Sequence, residues 1–189
     1  MVDDTRTRLV ESALKLLREE GLDAVTLRAV GDLTGLSRMA PYRHFADKTA
    51  LLAALAVHVI TDLSAHVAAA VLARDDRPGR LRAFYLSYVE YAVAHPEEYR
   101  LVFATEFAAG DHPELEAAID QVMTALGMGV ACGGPASKAG ATALLSTAHG
   151  LAELAVAGRF AHKGLSHEDV VDALVATGGP AAGQGPAAC

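Results

Sequence analysis

Apolar residues recur at helical spacing almost everywhere in this chain, and that periodicity constrains the fold more than any single motif. From Lys48 to about Leu72, the positions Leu52, Leu55, Val59, Leu63, Val67 and Val71 keep to one helical face. At ~1.5 Å per residue this predicts a rod of about 37 Å, long enough to couple one part of the fold to another. Leu9, Val10, Ala13, Leu14, Leu16 and Leu17 make a second stripe over residues 5–20, with Gly21 placed where a left-handed cap favours glycine. Leu115, Ile119, Val122 and Leu126 predict another helix, expected to fray at Gly127 and Gly129, before a break at Cys132-Gly-Gly-Pro135. Further helices are expected from Arg80 to His95, from Glu97 to about Phe107, from Ser137 to about Phe160, and from Ser166 to about Thr177. Ser166-His-Glu-Asp169 resembles a capping box. No stretch alternates as a strand would, and there is no internal repeat. The expected fold class is all-α.

Between residues 26 and 48 the helices shorten and the surface chemistry changes. Thr26 suits an N-cap, with Leu27, Val30 and Leu33 facing inward, Gly35 making a tight turn, and Ser37 capping a third helix. Leu33, Leu36 and Phe45 are expected to form this module's core. Pro41 is expected around the fourth helical position, where it forfeits an intrahelical hydrogen bond and distorts the first turn, projecting Met39 outward with Arg38. Asp47 is placed to cap the next helix, with Lys48 in its first turn beside backbone N–H groups that suit a phosphate. Arg38, Tyr42, Arg43, His44 and Lys48 crowd into little more than two turns. That density of hydrogen-bonding side chains suits phosphates and base edges rather than a core.

Charge distribution agrees with such a surface. The net charge is −7, yet the first 50 residues hold 8 Lys and Arg against 8 Asp and Glu, so the remainder carries the whole imbalance. Within residues 38–48, Arg38, Arg43 and Lys48 face Asp47 alone. A small basic surface on an acidic body would meet DNA in one orientation, and its modest footprint calls for two copies. Although 52% of residues are hydrophobic, no uninterrupted apolar run reaches membrane-spanning length, and the nearest, Ala141–Gly158, contains His149 and Glu153. No basic-then-apolar leader opens the chain. Cys132 and Cys189 cannot make a disulfide framework. The expectation is a soluble cytoplasmic protein with no membrane partner.

The residues from Thr5 to Leu55 resemble the tetracycline-repressor (TetR) family of bacterial transcription regulators. The Gly21 turn, the Thr26 start, Gly35-Leu-Ser37, and the spacing of Tyr42, Phe45, Lys48 and Leu51-Leu52 carry that resemblance. Gly31 stands where the family usually has alanine, at about 1 kcal/mol in helix propensity, and Thr49 where an acidic residue is common. The resemblance implies a helix-turn-helix domain over residues 1–50, a helical ligand-binding and dimerisation domain over 51–177, and a probe of the major groove by the third helix. Thr26, Tyr42, His44 and Lys48 would then meet phosphates. Arg38 and Met39 would lie nearest base edges, where Arg pairs with guanine and Met touches a thymine methyl. Arg28 could take either role, and Ser37 opens the helix. Homodimerisation through the helices near 137–160 and 166–177 is likewise implied. Ala148-His149-Gly150 is similar to a tryptophan-histidine-glycine signature of one C-terminal subgroup, with alanine replacing the tryptophan. Residues 178–189 are Gly-, Pro- and Ala-rich and expected to be disordered.

Seven of the ten Phe and Tyr residues lie between Phe84 and Phe107. Phe84, Tyr88, Tyr91, Tyr99, Phe103 and Phe107 at helical spacing are either core or the lining of an apolar effector cavity, with Met123. His149 and Glu153, one turn apart, fit pocket or interface hydrogen bonding better than a metal, which would need a third ligand. No nucleophile elbow, phosphate-cradling loop or zinc spacing appears, so neither a catalytic residue nor a cofactor is expected. The leading expectation is a ligand-responsive repressor that binds a palindromic operator as a homodimer, and two other readings remain from sequence: a ligand-independent DNA-binding protein or activator, and a helical small-molecule-binding protein whose helix-turn-helix has lost DNA affinity.

Overall fold

The computed structural model describes residues 4–103, 111–130 and 138–177, and every regular element among them is helical. Helix α1 (Asp4–Glu20) buries Leu9, Ala13 and Leu17 completely, the i, i+4, i+8 line of its apolar stripe. It ends at Gly21 with φ 84° and ψ 178°. This is not the left-handed helical well expected from sequence but an extended region of positive φ that essentially only glycine enters. A 3-10 turn (Leu22–Ala24) leads to α2 (Leu27–Thr34), α3 (Ala40–His44) and the long α4 (Lys48–Leu72). There follow α5 (Arg77–Ala94), α6 (Pro96–Val102), α7 (Pro113–Val130), α8 (Lys138–Val156), a 3-10 turn (Ala161–Lys163) and α9 (His167–Ala176).

Four helix ends differ from expectation, the first being the start of α5 at Arg77 rather than Arg80. α6 stops at Val102, with Phe103 as its C-cap at φ −105°, rather than running toward residue 107. α7 continues through Gly127 and Gly129 to Val130, so these glycines cost propensity without ending the helix. α8 ends at Val156, because Gly158 takes φ 67° and turns the chain before Phe160. Ser166 caps α9 as expected: its Oγ accepts from Asp169 N at 3.0 Å, and Asp169 Oδ2 accepts from Ser166 N at 2.8 Å. Phe107, Ser137, the Cys132–Pro135 break and the 178–189 tail lie outside the described residues.

The chain forms two compact units: Met1–Thr61 with His95–Ile119, and Asp62–Ala94 with Asp120–Cys189. In the first, α1 packs against α2, α3 and α6, and the core includes Leu9, Leu17, Val30, Leu52, Tyr99 and Leu101. In the second, α5 packs on α8 and α9. α8 presents Ala141, Leu144, Ala148 and Ala152, spaced to one face and buried, so its small side chains let the bulky α5 approach closely.

α4 is long and apolar enough, by length and composition, to cross a membrane, although Asp62 interrupts its apolar run. Leu51 through Ala56 are nevertheless buried in the protein, and core helices are apolar for the same reason.

Candidate nucleic-acid interface

α2 starts because Thr26, extended at φ −132° and ψ 153°, turns its Oγ1 back to accept from Ala29 N at 3.1 Å. Leu27, Val30 and Gly31 face inward, whereas Leu33 lies off that stripe and is 42% exposed, against the expectation that it joins the core. At the other end Gly35 takes the left-handed conformation, φ 66° and ψ 12°. Thr34 Oγ1 donates to Gly31 O at 2.9 Å, and Arg8 Nη2 on α1 donates to Thr34 O at 3.4 Å.

The third helix begins later than Ser37. Residues 37–39 form a turn, closed by Ala40 N donating to Ser37 O at 2.8 Å, and α3 proper starts at Ala40. Pro41 therefore falls in the first turn, where its missing N–H is one of the donors a helix leaves unpaired anyway. The expected loss of a hydrogen bond does not arise. Pro41 is buried, and a Cβ placed on Gly31 would come within 3.1 Å of its Cγ. The glycine that looked like a weakness in α2 is the seat of the proline ring that opens α3. Phe45, 3% exposed, closes the module from below, with the Arg6 guanidinium 5.6 Å from its ring centroid.

With Pro41 and Phe45 turned in, the same short segment turns its polar side chains out. Ser37, Arg38 and Arg43 are exposed, Met39 is 59% exposed, Tyr42 is 49% exposed, and His44 and Lys48 are half-buried. Arg28 projects from α2, its Nε 3.8 Å from Asp32 Oδ2, a pair too exposed to hold it. Asp47 caps α4, its Oδ1 accepting from Ala50 N at 2.8 Å. One N–H of that helix start is thus already committed to a carboxylate, and the Lys48 side chain is the cation there.

The residues expected to line an effector cavity are divided between the two units. Phe84, Tyr88 and Tyr91 are buried on α5 in the second unit, with Phe84 and Tyr88 rings 6.2 Å apart and Tyr91 against His66 at 5.9 Å. Tyr99 and Phe103 belong to the first unit, 5.1 Å apart, Tyr99 buried and Phe103 39% exposed. In the second unit Met123 on α7 and His149 on α8 are half-buried, and Glu153 is exposed. Among the described residues no group of three His, Cys, Asp or Glu could hold a metal ion.

Two polar groups were missed in the sequence. Tyr85, 1% exposed, buries a hydroxyl with no hydrogen-bond partner. Burial pushes its phenol above the ordinary range, and the neighbouring Thr147 hydroxyl, which itself donates to Ala143 O, offsets this only in part. Its place on α5 next to Phe84 hid it, because only the 84, 88, 91 line was read as inward. Glu98, 1% exposed on α6, meets Arg18 of α1 at 2.5 Å. No local signal could have found a pair 80 residues apart.

A helix-turn-helix whose polar face points outward, carried by an otherwise helical chain, defines a class of DNA-binding transcription regulators. Residues 9–55 match the family described as bacterial regulatory proteins, tetR family, and residues 81–177 match the tetracyclin repressor-like C-terminal domain. The chain belongs to the TetR family of transcriptional regulators. A solved structure of a protein with unknown function from Rhodococcus sp. RHA1 is 30% identical, covers 92% of this chain and 93% of its own, and superposes with a TM-score of 0.78. Among curated relatives, the HTH-type transcriptional regulator BetI of Burkholderia cenocepacia is 38% identical over 79 residues, 41% of each chain. The HTH-type transcriptional activator FasR of Mycolicibacterium smegmatis is 26% identical over 105 residues, 56% of this chain and 48% of its own. The matched part spans about half or less of the length of these curated relatives.

Proposed function

We propose that the chain is an effector-responsive repressor that binds a near-palindromic operator as a homodimer in the cytoplasm. Residues 1–50 read DNA, residues 51–177 hold the effector and the partner copy, and residues 178–189 are a tail. The observation that carries the reading is the division of the Ser37–Phe45 segment into a buried Pro41 and Phe45 and an outward Ser37, Arg38, Met39 and Tyr42. Such a segment enters the major groove with Arg38 and Met39 at base edges, while Thr26, Tyr42, His44 and Lys48 meet the backbone and Arg28 takes either role. Two copies would read half-sites about one helical turn, roughly 34–36 Å, apart.

For the second copy, α8 offers Thr142, Ser146, Gly150 and Leu154, all exposed and spaced four apart, three small residues followed by an apolar one on a face that suits helix–helix contact. The effector reading is supported by Tyr85: a buried phenol that stays protonated and lacks a partner suits a ligand bearing a hydrogen-bond acceptor in an apolar frame. Such a ligand must discriminate between two spacings of the readers by about 1–3 kcal/mol, with α4 as the transmitting rod. Activation is the second reading, favoured by the relative named as an activator.

Fluorescence anisotropy with the DNA upstream of the chain's own gene tests the proposal. Binding should weaken steeply with salt. Arg38→Ala should reduce discrimination at one base position by about 1–3 kcal/mol, whereas Lys48→Ala should weaken all duplexes alike and lower the salt slope by about one. An absence of salt-sensitive binding to every upstream fragment would sink it.

A further inference from the structure

Among the described residues Glu98 is the only charged side chain that is buried, and nothing in the DNA-reading surface uses it. Its Oε1 lies 2.5 Å from Arg18 Nε and 3.3 Å from His95 Nδ1. Arg18 stands in the last turn of α1, the helix against which both α2 and α3 pack. Glu98 stands on α6, outside the sequence of the reader. A second ion pair on α1, Arg6 with Glu114 at 2.9 Å, is exposed on both sides and screened by solvent.

Burying a carboxylate is unfavourable unless it is paired, and an apolar pair of similar volume would hold two helices together at least as well. An ion pair of this kind adds direction instead. Apolar surfaces slide with little change in contact area, whereas a guanidinium N–H aimed at one carboxylate oxygen tolerates little displacement before the bond weakens. We propose that Glu98 is a positioning residue for DNA reading: through Arg18 it fixes the end of α1, and with it the attitude at which Ser37 to His44 meet the groove. α6 thereby sets the affinity of a surface to which it contributes no side chain. The proposal rests on the DNA-binding reading of the chain.

The test uses the full chain, a duplex recovered from a random pool by selection on the wild type, and a scrambled duplex of equal length. Glu98→Gln should weaken binding to the selected duplex about tenfold, within the range of coupling between separate sites, and leave binding to the scrambled duplex unchanged. The double variant Arg18→Met/Glu98→Leu separates position from stability, and serves also if Glu98→Gln does not fold. It should melt at or above the wild-type temperature while keeping the loss of preference for the selected duplex. A folded double variant that binds the selected duplex as tightly as wild type overturns the proposal, as does a Glu98→Gln variant with wild-type preference. A wild type that selects no duplex overturns both this proposal and the reading beneath it.

Discussion

Arg18 and Arg82 each reach a carboxylate on a helix at least 80 residues away, yet the two units that contain them place charge differently. In the first unit the acid is in the interior: Glu98 is 1% exposed while its arginine is half in water. In the second, Arg82 meets Asp172 at 2.5 Å and also pairs with Glu168, and all three side chains are substantially exposed. Those two hydrogen bonds, Asp172 first, hold the Arg82 guanidinium further above its already high range. Among the described residues, the polar groups the second unit buries are neutral, including the Tyr85 and Tyr88 phenols and the Ser87 hydroxyl. An ion pair's worth is therefore set by what its loss leaves behind. Removing Arg18 leaves a charge in the core without its guanidinium, while removing Arg82 returns two carboxylates to water.

The sharpest test of that contrast is Arg18→Met, which should cost about 3 kcal/mol in urea unfolding, near the lower end for stranding a buried charge because His95 remains beside Glu98. A loss below about 1 kcal/mol would mean that water reaches Glu98, and the contrast would collapse. Next in size is Tyr85→Phe, which deletes a buried hydroxyl without a partner and should raise stability by about 1 kcal/mol without effector. Arg82→Met should lose at most about 1 kcal/mol, and the difference from wild type should disappear in about 1 M salt, where charges are screened within ~3 Å. The smallest effect belongs to Asp169, whose carboxyl is held below its ordinary 3.8 by the Ser166 hydroxyl and then the Ser166 backbone N–H. Its contribution to the α9 cap is complete above that ordinary value and lost as pH falls through the lower folded value. Amide exchange in α9, followed into that acid range, should show the first turn opening before the rest, and Asp169→Asn should blunt the change.

Local grammar made much of the reader legible. Thr26, Gly35 and Asp47 do what caps and turns do anywhere, because their partners lie within three residues. The late start of α3 was hidden because Ser37 satisfies every local rule for an N-cap, and only the seat at Gly31 for the Pro41 ring decides otherwise. Leu33 was misplaced because a helix of eight residues has room for one narrow stripe, which Leu27, Val30 and Gly31 already fill. Burial was legible for Phe84, Tyr88, Tyr91 and Tyr99 but not for the exposed Phe103, and the division between two units was hidden because Tyr88 and Tyr99 share a period while α5 ends between them. Glu98 illustrates the limit. A glutamate two residues after a proline reads as a solvated helix start until the arginine that folds over it is known.

Gly21 extends these consequences to heredity. Its φ of 84° with ψ of 178° closes α1 three residues beyond Arg18, in a conformation no other genetically encoded residue holds cheaply. In a library carrying every single substitution and screened for operator binding, position 21 should return glycine almost alone. A map of such tolerance would mark it as though it touched DNA, and the mark would record only the bend the backbone must make there.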